Sequence, residues 1–410
     1  MKSNKSALPV VFLVVLIDLM GFGIILPLMP FYAERYQVSP IAIGFLYSIY
    51  SLAQLIFSPV WGALSDRLGR RPIMLISTLG STLSYILFAF SHSYWVLFLS
   101  RLLAGVMGGN ISAAQAYIAD VTTHENRAKG MGLLGAAFGI GFVMGPAIAT
   151  ALMHPYFHRF GLPENSYALP GFFAAGLSLT SFLLVWAKLP ESVNVGEIAK
   201  RPDEERVTRF GILDKRFWLA LGAEKKGGVP SFLPLLMISG FVLAFGHSNL
   251  YSAFPLFCKE TLGFTARDVG MQFVWLGLIT VFIQGGLIRV LEKRFGEKKL
   301  FLTGGVFMVL GMALIPLAGS SGILTAFLAL LAIGASLNGP TLNSLISKEA
   351  DPHRVGAVMG SAQGLSALGR AIGPAWGGLL YGWSPRLPFW ATAVCLTFTV
   401  WVGTRLLKNA

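Results

Sequence analysis

Cysteine is nearly missing from this chain of 410 residues; Cys258 and Cys395 are the only two. They stand far apart and lack metal-ligand spacing, so they build neither a disulfide framework nor a metal site. Charge is scarce as well. Lys, Arg, Asp and Glu make up 12% of the residues, against about 25% in a soluble domain. Acids are the rarer sign, 19 against 32 bases, which leaves a net charge of +13. A phosphate loop of GxxxxGK[ST] type and a nucleophile elbow are also missing. The chain is therefore not expected to be an enzyme or to need a cofactor or metal.

What fills the chain instead is apolar sequence, 54% of residues, with a mean hydropathy of +0.67. Runs long enough to cross a bilayer as helices follow one another with short breaks. They predict twelve spans, at residues 8–33, 40–61, 72–91, 94–119, 128–153, 168–189, 231–257, 267–289, 299–319, 322–346, 355–382 and 386–407. The strands of a membrane barrel would be shorter and alternate in polarity. The first run contains Asp18 and two prolines. It is too long and has the wrong residues for a cleavable signal, so a retained first span is expected.

The excess of bases fits the positive-inside rule better than nucleic-acid binding. With the N-terminus in the cytoplasm, 25 Lys and Arg fall inside and five outside, namely Arg35, Arg159, Lys259, Arg267 and Arg386. Arg101 and Arg370 remain within spans. Both termini are thus expected in the cytoplasm, as in a multi-pass inner-membrane protein.

One long polar segment, 190–230, separates two sets of six spans. The expected domains are a six-helix bundle at 1–189, a cytoplasmic linker at 190–230 and a second bundle at 231–410. Residues 211–223 within the linker suit either a surface-lying amphipathic helix or plain solvated chain. The two sets look like copies. Gly141-x-x-x-Gly145-Pro146 returns as Gly369-x-x-x-Gly373-Pro374 at an offset of 228. Gly105 meets Gly334, and Asp18 meets His247, at 229. Parallel six-span repeats place a binding site near the membrane midplane.

The sharpest local signal is GALSDRLGRRPIM at 62–74, a charged knot between spans 2 and 3. Gly62 would let spans 2 and 3 approach, and Gly69 would permit a turn. Asp66 could accept from the free N–H groups of span 3 or from an arginine. In span 4, Arg101, Gly105, Gly108, Ser112 and Gln115 recur every three or four residues and share one face. An arginine deep in a bilayer costs at least ~2.5–3.5 kcal/mol, which argues for a function, whereas one near a helix end can snorkel to water.

Together these motifs resemble the major facilitator superfamily, and within it the twelve-span drug:proton antiporters of the tetracycline-efflux branch. The knot resembles the loop 2–3 signature, with Gly62, Asp66, Arg67, Gly69, Arg70 and Arg71 in place. Leu99 to Gly109 is similar to the span-4 motif, and Gly141 to Ala149 to the antiporter motif of span 5, although its last glycine pair is replaced by Ala149 and Thr150. The resemblance implies an all-α fold of two pseudo-symmetric six-helix bundles and export by proton-coupled alternating access. It makes the 62–74 loop a latch to the other half, where a topogenic basic loop with a capping acid is the plainer reading. It gives Arg101 a part in proton coupling.

Asp18 is the only acid well inside a span, and burial opposed by a nearby cation would poise it for proton exchange. It is the expected proton carrier; a structural pairing with Arg101 or Arg370 is the alternative. Arg370 could attract an anionic substrate, neutralise Asp18 or latch helices. The glycine–proline pairs of spans 5 and 11 would bend those helices for rocking, or simply pack. Cavity-lining candidates are His247, Asn249, Tyr251, Gln54, Asn110 and Gln115, with Gln272, Gln284, Asn338, Asn343 and Gln363. Tyr47, Tyr50, Phe254 and Trp275 could form aromatic walls. The expected partners of a monomeric chain are a small-molecule substrate, protons and the bilayer, with no nucleic acid. Two other readings stand beside export: a uniporter or importer of an anionic metabolite that uses Arg101 and Arg370, and a non-transporting membrane sensor.

Overall fold

In a bilayer every backbone N–H and C=O must be satisfied within the protein, and a helix does this by itself. A computed structural model describes residues 7–408 apart from 109, 123, 154–166, 193–224, 227–228, 231 and 351–354. Twelve helical stretches correspond in order to the twelve expected spans. In the first set they are Ala7–Ile25, Pro40–Leu68, Arg70–Ala89, Tyr94–Met107 continued by Asn110–Val121, His124–Leu152 and Ala168–Lys188. In the second set they are Leu233–Leu262, Ala266–Phe295, Glu297–Leu317, Ser321–Glu349, Val355–Trp383 and Leu387–Lys408. Ten of these are long and apolar enough to cross a membrane; span 5 adds a shorter apolar stretch, Gly139–Leu152. The expected surface helix at 211–223 lies outside the described residues. Between spans 6 and 7, Lys225–Lys226 pairs antiparallel with Val229–Pro230.

The chain forms two compact units. One holds residues 1–38, 45–205 and 264–274, the other 39–44, 206–263 and 275–410. Within the first unit, span 1 packs on spans 5 and 6, and span 3 on spans 4 and 6. The second unit repeats this order: span 7 packs on 11 and 12, and span 9 on 10 and 12. Aliphatic and aromatic side chains fill each interior, including Val14, Ile73 and Tyr117 in one, and Met237, Phe301 and Val402 in the other. Hydroxyls inside the helices donate to carbonyls of the preceding turn, as Thr82 does to Thr78 (2.9 Å) and Thr341 to Leu337 (2.7 Å). Such back-bonding lets polar residues sit among apolar ones without orphaned donors.

Glycine explains the tightest crossings. A Cβ on Gly145 would stand 2.6 Å from Gly23 Cα, and one on Gly141 would stand 2.6 Å from Leu19 Cβ, so spans 1 and 5 meet backbone to backbone. A Cβ on Gly369 would lie 2.6 Å from the Phe241 carbonyl oxygen, which places the span 7–11 crossing on the same footing. Both helices run unbroken through Pro146 and Pro374. The motif glycines thus serve close packing. Gly62 corrects an expectation: it faces span 4, and an added Cβ would touch only Ser112 Oγ at 3.9 Å, so the approach of spans 2 and 3 does not depend on it.

Gly145→Val should destabilise the protein by about 3 kcal/mol, the upper end of overpacking costs, because the facing group is backbone and cannot turn aside. Gly139→Ala, which meets nothing within 4 Å, should be neutral. Thermal unfolding in detergent measures both; equal midpoints would refute the crossing.

Candidate functional site

Arg101 lies seven residues into its helix, roughly 10 Å from the helix start at 1.5 Å per residue. It is 3% exposed. At that depth and burial the side chain does not snorkel to water. Its guanidinium lies over the rings of Phe88 (5.3 Å) and Tyr85 (6.0 Å). Nε and Nη2 are buried and find no acceptor among the described residues. Arg101 also lines a cavity of about 10 Å³, the size of about one water sphere, with Phe22, Leu26, Met29, Tyr47 and Tyr50 among others. Tyr47 donates to the Leu26 carbonyl (2.6 Å), which fixes that wall to the break in span 1 before Pro27.

Asp18 joins this cluster through Tyr85. It is half-buried on span 1, and both it and Arg101 act electrostatically on the Tyr85 hydroxyl. That hydroxyl rests against Gly21, where a Cβ would stand 2.6 Å from it. A tyrosine hydroxyl within electrostatic range of both a carboxyl and a guanidinium can accept as well as donate. Nothing in the sequence singles it out beyond being the one tyrosine of span 3.

The middle of the expected span-4 face is packed. Gln54 Nε2 donates to the Gly108 carbonyl (3.3 Å) and Ser112 Oγ to the Ser58 carbonyl (3.1 Å), so these groups join spans 2 and 4. Gln115 is exposed, and the side chain of Asn110 lies outside the described residues.

In the second unit, His247 meets the Tyr251 ring edge-on at 5.5 Å, and Arg370 acts on the Tyr251 hydroxyl. These three form a second polar cluster. Asn249 is not part of it: its amide donates to the Pro388 carbonyl (3.1 Å) and to Thr392, tying spans 7 and 12. Asn338 likewise packs on span 9, donating to the Phe301 carbonyl (2.8 Å) and accepting from Gly305 N–H (3.0 Å) with its amide turned to satisfy both. Gln272 and Phe254 are buried, whereas Gln284, Asn343, Gln363 and Trp275 are exposed.

The charged turn is more elaborate than its sequence suggests. Asp66 closes span 2 and pairs with Arg70 one turn on (2.6 Å). Arg70 is buried; its Nε donates to Asp120 at the end of span 4 (3.0 Å) and its Nη1 to Ser65 Oγ (2.6 Å). The free N–H groups of span 3 do not go to Asp66, as one expectation had it. Arg70 N and Arg71 N donate to the two carboxylate oxygens of Glu191 (2.9 and 3.1 Å). A carboxylate astride a helix N-terminus satisfies orphan donors and opposes the helix dipole. Gly69, at φ +99°, lets the chain turn, and an added Cβ would also strike the Glu191 carboxylate. Arg71 reaches the Trp186 carbonyl (2.7 Å), Tyr117 OH the Pro190 carbonyl (3.0 Å) and Ser192 Oγ Asp120 (3.0 Å). Arg67 is exposed.

The second unit has the same device with its charges exchanged. Gly296, at φ +78°, opens span 9. Glu297 follows it and accepts from Lys348 Nζ (2.8 Å) and Ser344 Oγ (2.7 Å) at the end of span 10. Glu297 matches Arg70 at an offset of 227, and Lys348 matches Asp120 at 228.

Among the described residues, apolar helices arranged in two units of like internal packing, each with polar side chains in its interior, define a multi-pass helical membrane protein. A family model described as Major Facilitator Superfamily matches residues 11–288 and 236–409, and the chain belongs to that superfamily. It is 32% identical over 377 residues to the tetracycline resistance protein, class C, of Escherichia coli, covering 91% of this chain and 89% of that one. It is 28% identical over 400 residues to multidrug resistance protein 2 of Bacillus subtilis, covering 95% and 93%. The crystal structure of the human organic anion transporter MFSD10 (TETRAN) superposes with a TM-score of 0.70 at 25% identity, covering 98% of this chain and 100% of that one.

Reading from sequence missed Glu191 and Asp120. Their signal was two acids at the ends of spans 4 and 6, on the side crowded with bases. Glu191→Ala should cost about 1–2 kcal/mol, the scale of a lost helix cap. Asp66→Asn should cost less, because that carboxylate is 56% exposed and its pair is an i,i+4 contact. Thermal midpoints of the two variants in detergent should rank in that order; the reverse order would make Asp66 the principal tie.

Proposed function

We propose that this chain is a proton-coupled antiporter that exports a small amphiphilic molecule, with both termini in the cytoplasm. The observation that carries this is the buried Arg101, with two unmatched donors, facing Tyr85 and through it Asp18. A fixed positive charge in an apolar interior costs several kcal/mol unless something offsets it. Ionised Asp18 offsets it in the state that holds substrate, where the carboxylate also accepts from a donor group of the substrate. Proton and substrate then compete for one carboxylate, and that competition couples two fluxes in exchange. The membrane potential adds ~2.3 kcal/mol per charge per 100 mV to an inward proton. Relatives named for tetracycline and multidrug resistance support the outward direction.

In everted membrane vesicles, Asp18→Asn should abolish uptake driven by an imposed pH gradient while the protein still reaches the membrane. Gradient-driven uptake at the wild-type rate in that variant would remove Asp18 from the coupling.

A second reading has its own observation. Arg370 beside Tyr251, with Arg101 in the other unit, suits an anionic metabolite carried by a uniporter or importer, and the similarity to a human organic anion transporter favours an acidic cargo. Arg370→Lys should weaken organic anions about tenfold more than neutral compounds, which is ~1.4 kcal/mol, because lysine lacks the bidentate fork of arginine. Thermal-shift titrations in detergent would measure this, and equal losses for both classes would exclude Arg370 as an anion-binding group.

A further inference from the structure

Span 8 differs from the other helices. Only 17% of its apolar window is buried within the protein. Its helix opens into a π turn at Ile283–Leu287, and Gly285 and Gly286 in that turn have nothing within 4 Å of an added Cβ. Extra residues in a π turn are costly and recur at functional sites. Beside it runs a groove of about 760 Å³ between spans 8, 9 and 10, within the size range of small-molecule sites. Its walls are apolar, with Leu278, Phe282, Leu291, Phe307 and Ile333 among them, and Phe282 is 72% exposed. Its polar lining groups are Lys299 and Thr303, on the first two turns of span 9.

The groove is therefore amphipathic along its length. The Lys299 end belongs to residues 289–299, which carry Arg289, Lys293, Arg294, Lys298 and Lys299 against Glu292 and Glu297. Glu297 is engaged by Lys348, which leaves the exposed bases in excess. This is the base-rich side that the positive-inside rule makes cytoplasmic.

We propose that the groove beside the span-8 π turn is a binding site for an anionic phospholipid of the cytoplasmic leaflet, acyl chain along the apolar walls and phosphate on Lys299. A neutral lipid would fill the walls equally but leave the lysine without a counter-charge. A free phosphate would meet the lysine but bury no apolar surface. One molecule joining both parts matches the lining, and an anionic membrane surface attracts each nearby base by about 1 kcal/mol.

Native mass spectrometry of the intact detergent-purified protein tests this, by titration with phosphatidylglycerol and with phosphatidylcholine of the same chains. Phosphatidylglycerol should be retained preferentially. Lys299→Gln should weaken it about fivefold, which is ~1 kcal/mol, and leave phosphatidylcholine unchanged. Thr303→Trp, at an exposed position on the groove wall, should weaken both lipids by filling the space. Equal retention of the two lipids, or indifference to both variants, would overturn the proposal. Displacement of the lipid by glycerol phosphate alone would reduce the site to a headgroup contact and equally overturn it. A dimer peak that Thr303→Trp abolishes would assign the groove to a second copy of the chain instead. The measurement needs neither a substrate nor a pH gradient, so its outcome is independent of antiport.

Discussion

Arg101 is the feature around which the first unit must be understood. A guanidinium is never neutral at physiological pH, so it has no protonation route out of an apolar interior. Here it is buried, it lies over two aromatic rings, two of its donors have no acceptor among the described residues, and it lines a space of one water. Cation–π contact returns on the order of 0.5–2 kcal/mol, less than the several kcal/mol that burial of a charge costs. Water or an acceptor group of a bound molecule can meet those two N–H groups; a proton cannot, because a guanidinium offers no acceptor.

Everything around that site is arranged to leave it no slack. Spans 1 and 5 touch at Gly23 and Gly145, and span 4 meets span 2 at Gly105, where a Cβ would stand 2.9 Å from Ala53 Cβ. Side chains at such crossings would hold the helices apart and admit lipid or water. Serine and threonine hydroxyls turn back on their own helices, so few polar groups other than Arg101 are left to seek partners. The charged turn sits at the other end of the same helices. Arg70 joins the ends of spans 2 and 4, and Glu191 joins the end of span 6 to the start of span 3. Four helices are thereby tied through two side chains, Arg70 and Glu191, all within the first unit.

The helices, their order and the repeat were legible in the sequence because each rests on a long-range pattern: apolar length, base asymmetry, and glycines recurring at a fixed offset. The positions of single polar side chains were not. Periodicity places Gln54, Ser112 and Arg101 on shared faces, but it does not say whether a face meets another helix or an opening. Asn249 and Asn338 show the difficulty. Both look like cavity residues, and the amide N–H groups of both are engaged by a neighbouring helix. An amide inside a membrane is as useful for joining helices as for binding a ligand. Asp66 was read as an acceptor for either the free N–H groups of span 3 or an arginine; it takes the arginine, Arg70, whereas the acid that caps arrives from residue 191.

The exchanged charges of the two turns carry the repeat argument further. The second copy of the 62–74 knot keeps a glycine of positive φ and an ion pair to the end of the span two further on, but puts the acid where the first copy has the base. Selection for bases alone, as a topogenic loop requires, would not produce Glu297 at the position of Arg70. What both copies preserve is a bond between the start of one helix and the end of another, with the sign free to invert. Each turn therefore acts first as a mechanical tie within its own unit. The Arg70 pairings differ from the Glu297 pairing in adding Asp66, a second carboxylate 56% exposed. A tie needs one partner; a buried base shared between two acids, one of them open to solvent, can exchange partners. That asymmetry marks the first turn, and not the second, as the place where a change of charge at that end of the helices would be felt by the helices that hold Arg101.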